Sequence, residues 1–207
     1  MTAEETYDWL LSGPAPAGTA PADRHAAASI LALAMAEAWA DGGSAGARCG
    51  LGRAGLDALA AAIFPARRAD LAAQPLGPAA DEYADEQTAL RELLSLNASP
   101  DSRLAPLFAA MVARRAMEPD HLWQDLGLRN RDELSSLLDR HFAPLARQNT
   151  EGMKWKRFFY RKLCEAEGFV LCTAPSCAAC TDVEMCFGEE TGEARLARTE
   201  RRPRAAS

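Results

Sequence analysis

Alanine- and leucine-rich stretches dominate this sequence, with apolar residues recurring every three or four positions and short Gly- and Pro-containing breaks between them. Ala and Leu favour helix, whereas strands draw on β-branched residues, and Val and Ile are scarce here. The pattern predicts an all-α fold, a compact helical domain with a C-terminal Cys-rich loop. At 207 residues the chain can bury a core without covalent staples. The clearest helix runs over 23–41, with Asp23 as its N-cap, Ile30, Leu31, Met35 and Trp39 on one face, and Gly42-Gly43 as its stop. Further helices are expected over 4–11, 56–64, 81–96, 101–117 (entered through Pro106), 121–126, 131–142 (capped by Asn130) and 153–167. Leu56, Leu59 and Phe64 echo the spacing of Leu134, Leu137 and Phe142, and a Gly-Leu pair precedes each set. Helical patterning alone produces such matches, so the echo carries no functional weight.

The expected organisation is a short N-terminal segment and flexible linker (1–22), a helical domain (23–168), a Cys-rich loop packed on it (169–190) and a disordered, Arg-rich tail (191–207). The formal charge of −6 argues against a nucleic-acid or anionic-membrane partner for the chain as a whole. The most apolar run, 26–36, is too short to span a bilayer, and no secretion signal is visible. A cytoplasmic protein with reduced thiols is expected.

Four of the six cysteines crowd into one loop as Cys172-x4-Cys177-x2-Cys180-x5-Cys186. Thiolates are soft ligands, and a short loop lets several converge on one small inorganic object. Structural zinc sites are usually built from two close pincers, whereas only Cys177 and Cys180 form one here. The flanking Cys172 and Cys186 fit an iron–sulfur cluster better than zinc. Zinc and unligated redox thiols stay open as readings of the spacing.

Directly before the loop, Met153-Lys-Trp-Lys-Arg-Phe-Phe-Tyr-Arg-Lys-Leu-Cys164 sets five positive charges within nine residues. At 100° per residue Trp155, Phe158, Phe159 and Leu163 share a face suited to the core, and Lys154, Arg157 and Arg161 form a second stripe with Cys164 at its edge. Positive charge beside thiolates lowers their pKa and stabilises an anionic cluster or a bound oxyanion. That stripe is the candidate for anion steering. His121, near Trp123 and Asp125, and Cys164 are candidate outlying ligands; His141 reads as structural and Cys49 as incidental. No phosphate-binding glycine loop, nucleophile elbow or zinc-protease motif is present, so no enzyme is expected.

The run His121-Leu-Trp-Gln-Asp-Leu-Gly-Leu128, then Arg131, Glu133-Leu134, Asn149, Met153 to Tyr160, Leu163-Cys164, Glu167-Gly168 and the four-cysteine spacing ending Cys186-Phe-Gly-Glu189 closely resembles the NifQ family. The resemblance implies a molybdenum–iron–sulfur carrier, with molybdenum held on a cuboidal cluster that Cys172, Cys177, Cys180 and Cys186 bind. It further implies delivery to the scaffold complex and its reductase protein, where the nitrogenase iron–molybdenum cofactor is assembled, with molybdate or another molybdenum supplier upstream. The roles of His121 and Cys164 are not fixed by it. Two alternatives are a helical DNA-repair glycosylase with a structural iron–sulfur loop and a zinc-stapled interaction module. The first needs a Gly-rich hairpin pattern that 50–55 lacks.

Overall fold

The computed structural model describes residues 1–74 and 84–166, which form helices joined by turns and loops, with no strand among them. The Cys-rich loop and the Arg-rich tail lie outside the described residues, as do Pro75, Gly77, Pro78 and Tyr83.

The chain begins with α1 (Ala3–Leu11), capped by Thr2, followed by the long α2 (Pro21–Asp41). Ala26, Ala27, Ala28, Ile30, Leu31, Ala34 and Met35 of α2 are all buried, so this helix is covered on nearly every side. Its small side chains let neighbouring backbones come close. α2 opens with Pro21 as its first residue, where a missing N–H costs nothing, and Ala20 is its N-cap. Asp23, expected as the cap, instead lies in the first turn, where its carboxylate is buried against Arg140 and His141. Gly42 closes α2 in the left-handed conformation, as expected. Trp39 departs from its expected place on the core face: in the last turn of α2 it is Ala38 that is buried, and the Trp39 side chain, one position on, is 42% exposed.

Next come α3 (Ala45–Cys49), α4 (Arg53–Ile63), a 3-10 turn at Pro65–Arg67, α5 (Arg68–Ala72), α6 (Ala84–Leu96) and α7 (Ala105–Arg115). α7 starts later than its sequence pattern suggests because 99–104 form turns, one of them tied by the Ser99 N–H to His141 O (2.8 Å). Pro106 occupies its first turn. The chain continues through α8 (Leu122–Asp125), α9 (Arg131–His141), α10 (Ala143–Ala146) and α11 (Trp155–Ala166). Asn130 caps α9 through Oδ1 and the Glu133 N–H (3.0 Å), as its sequence predicts.

The spacing echo turns out to be architectural. α3 ends on Gly50 (φ 76°), Leu51 is buried, α4 runs for 11 residues, and Phe64 stops it (φ −129°, ψ 55°) ahead of Pro65. α8 leads to Gly127 (φ 68°), Leu128 is buried, α9 runs for 11 residues, and Phe142 stops it (φ −138°, ψ 42°) ahead of Ala143-Pro144. In each unit the first arginine of the 11-residue helix donates to a later backbone carbonyl. Arg53 reaches Ala72 O (3.1 Å), and Arg131 reaches Gly152 O (2.6 Å) and Met153 O (2.9 Å). Each glycine also backs onto a helix outside its own unit, Gly50 onto Ala110 of α7 and Gly127 onto Ser29 of α2.

Candidate functional site

Burying charge is costly unless it is paired, so the paired charges of the interior show which elements must stay in register. Arg115 of α7 is almost wholly buried; its guanidinium holds Glu37 of α2 through two bonds (2.6 and 2.8 Å), and its Nε donates to Asp125 O of α8 (2.5 Å). Asp23 accepts from Arg140 Nε (2.7 Å) and bonds His141 Nε2 (3.1 Å), while His141 Nδ1 meets Ser102 Oγ (2.5 Å). Burial alone would raise the Asp23 pKa, but the His141 and Arg140 hydrogen bonds outweigh it and hold the carboxyl below its ordinary value. His141 is therefore structural, stacked 4.5 Å from Phe108. His25 is engaged likewise, between Tyr7 Oη (2.7 Å) and Glu133 Oε2 (3.0 Å), and it ties α1, α2 and α9 together.

α11 is set against this frame by its aromatic face. Trp155, Phe158 and Phe159 are buried and in mutual contact, with centroids 5.8–6.1 Å apart, and Trp155 Nε1 donates to Ser135 Oγ of α9 (3.1 Å). This is the face the sequence assigns to the core. Lys156 points the other way round the helix, to α8, and donates to Asp125 Oδ2 and to Glu118 O. Burial pushes the Asp125 carboxyl up to about 6, against the pull of Lys156 and Arg115. The Lys156–Asp125 tie carries no sequence signal beyond a basic residue and an acidic one, 31 positions apart.

Between α8 and the start of α11 lies a cavity of about 180 Å³ lined by His121, Trp123 and Leu134 on one side and by Lys154, Lys156 and Arg157 on the other. The structure thus brings three of the sequence candidates, His121, Lys154 and Arg157, to one place. His121 stands at the N-cap of α8, with its backbone N–H donating to Gln124 Oε1 (3.3 Å). Arg161 does not line this cavity. Its Nε meets Glu165 Oε1 (3.0 Å), Lys162 meets the other oxygen of the same carboxylate (2.8 Å), and all three residues border a separate, smaller hollow.

Cys164 is half-buried on α11 and forms no disulfide among the described residues. Cys49 is sealed in the core, its thiol donating to Gly46 O (3.6 Å), and burial pushes its pKa up to about 11, so it is an inert structural thiol. Cys172, Cys177, Cys180 and Cys186 lie outside the described residues. Among the described residues no group of three or more Cys, His, Asp or Glu is arranged to hold a metal ion, so neither His121 nor Cys164 belongs to such a group there. No described helix is long and apolar enough to cross a membrane.

Comparison with known proteins matches the NifQ family over residues 26–188. Among similar proteins, a NifQ homolog of Sinorhizobium fredii (strain NBRC 101917 / NGR234) is 42% identical over 177 residues, covering 83% of this chain and 74% of that protein. NifQ of Rhodobacter capsulatus is 38% identical over 187 residues, 88% of this chain and 97% of that protein. NifQ of Azotobacter vinelandii is 42% identical over 106 residues, about half of each. No solved structure matches. On the span of the family match and the identity to these relatives, this chain belongs to the NifQ family.

Proposed function

We propose that this protein is a molybdenum–iron–sulfur carrier serving nitrogenase iron–molybdenum cofactor assembly, and not an enzyme. Cys172, Cys177, Cys180 and Cys186 would hold an iron–sulfur cube lacking one iron, whose three exposed sulfides supply a soft face for molybdenum. The molybdenum is cargo, passed to the scaffold complex and its reductase protein in the cytoplasm. The observation that carries this reading is the reach of the family match, which continues past the helical frame to residue 188 and so spans all four cysteines.

The donor set fits the group. Four thiolates within one short loop are the ligands iron–sulfur clusters take. Of the two other cysteines, Cys49 is closed off in the core and Cys164 stands on α11, whose C-terminal end leads towards the loop. Arg131 fixes the approach to α11 through Gly152 O and Met153 O, and the aromatic face docks the helix, so the segment before the loop starts from a rigid base. Metal binding then supplies folding free energy to the loop itself. Elemental analysis of protein purified without oxygen tests the reading. Iron with sub-stoichiometric molybdenum is expected, and zinc alone would overturn it.

A further inference from the structure

We propose that Asn149 and Arg131 are positioning residues for the metal-holding loop: together they lock the turn that opens α11 and so set the line along which that helix leads to the cysteines. The role rests on the carrier reading, whereas the clamp rests on geometry alone. Asn149 brackets the backbone of Met153, its Oδ1 accepting from the Met153 N–H (2.8 Å) and its Nδ2 donating to Met153 O (2.8 Å). A carboxamide carries donor and acceptor on one planar group, so it can pair with a backbone N–H and C=O together. Arg131 Nη2 donates to the same carbonyl (2.9 Å) and to Gly152 O (2.6 Å), with the added strength of a charged donor. Met153 O therefore accepts two side-chain bonds, one for each lone pair. Gly152 turns the chain beside it at φ 68°.

Two features set this clamp apart from ordinary loop packing. Thr150, Glu151 and Gly152 are exposed, and water alone can satisfy the carbonyls of a surface loop. Here side chains from two elements converge on two successive carbonyls instead. In the first helix–glycine–leucine–helix unit the corresponding Arg53 donates to Ala72 O (3.1 Å), and the fuller clamp stands in the unit that leads to the cysteines.

The clamp also has leverage. α11 spans 12 residues, which is about 18 Å, and its last residue, Ala166, stands six positions before Cys172. A tilt of roughly 10° at its start moves its far end by about 3 Å, well beyond the ~0.5 Å within which a functional constellation must be held. The buried aromatic face decides which side of α11 meets the core, and the clamp decides where and how the helix begins.

The test combines hydrogen exchange on the metal-depleted full chain with iron release from the anaerobically loaded protein to a ferrous chelator. Asn149→Ala and Arg131→Met should each speed exchange over 153–159 at least tenfold, speed iron release at least threefold and shift the absorption spectrum of the bound cluster. Asn149→Asp, equal in size but unable to donate to Met153 O, should act in the same direction. Arg53→Met, which removes the counterpart bond of the first unit, should leave both rates within twofold. Release is read per loaded chain, so a variant that loads less through lower stability alone does not move it. Unchanged exchange over 153–159 would overturn the clamp. Faster exchange with unchanged iron release and spectrum, or equal acceleration by Arg53→Met, would overturn the positioning role. If far-UV circular dichroism shows Arg131→Met unfolded, the two Asn149 variants decide. A wild-type chain that takes up no iron overturns the carrier reading and this role with it, while the exchange experiment still judges the clamp by itself.

Discussion

The two helix–glycine–leucine–helix–phenylalanine units share an order of elements and have opposite surroundings. In the first, α3 seals Cys49 in the core and α4 leads to α5, with Arg68 and Asp57 paired on the surface (2.6 Å). In the second, α8 presents His121 at a cavity edge, and α9 serves as the dock for α11 and its basic residues. The order of elements is shared, and the side chains that it aims differ. Stability is thus carried by features shared between the units, while ligand chemistry is confined to features that one of them has alone.

If that division holds, the shared stops should matter equally. Phe64 and Phe142 are both almost completely buried, and Phe→Ala at either position should cost about 3–5 kcal/mol. Chemical denaturation checks this, and a cost confined to one site would break the equivalence of the units.

The glycines sharpen the comparison. Both have positive φ, where an added Cβ costs roughly 1–2 kcal/mol. At Gly50 that Cβ would fall 2.5 Å from Ala110 O and 2.5 Å from Arg114 Cβ, against 2.9 Å from Ser29 O at Gly127. Gly50→Ala should therefore lose on the order of 3 kcal/mol and Gly127→Ala nearer 2, in the same denaturation experiment.

The Lys156–Asp125 pair belongs to the second unit alone. Because the folded state holds the Asp125 proton up to about pH 6, this group makes stability fall as pH rises from the ordinary carboxylate range through 6. Lys156→Met withdraws an opposing positive charge, so it should move the Asp125 titration, followed by NMR, to higher pH, and cost about 1–3 kcal/mol at neutral pH. Asp23 has the opposite sign: its contribution is present above the ordinary carboxylate range and is lost as pH falls below it.

Features encoded over a few residues were legible in advance. The Asn130 cap, the Gly42 stop and the aromatic face of α11 depend on neighbours within one or two turns, and the cysteine spacing lies in one stretch. What long-range packing decides was not legible. Asp23 looks like a helix cap until His141, 118 positions away, claims its carboxylate, and the α8–α11 cavity is walled by segments that Lys156 and Asp125 tie across 31 positions. The repeat was visible as three apolar positions and two Gly-Leu pairs, too little to distinguish it from ordinary helical patterning. Its signature is in the glycine and phenylalanine dihedral angles.

The most direct measurement is iron and molybdenum per chain in protein isolated without oxygen, wild type beside a variant with Cys172, Cys177, Cys180 and Cys186 changed to alanine. The account predicts that both metals are lost from the variant while its helical signal persists. Molybdenum retained in full without those four sulfurs would contradict it.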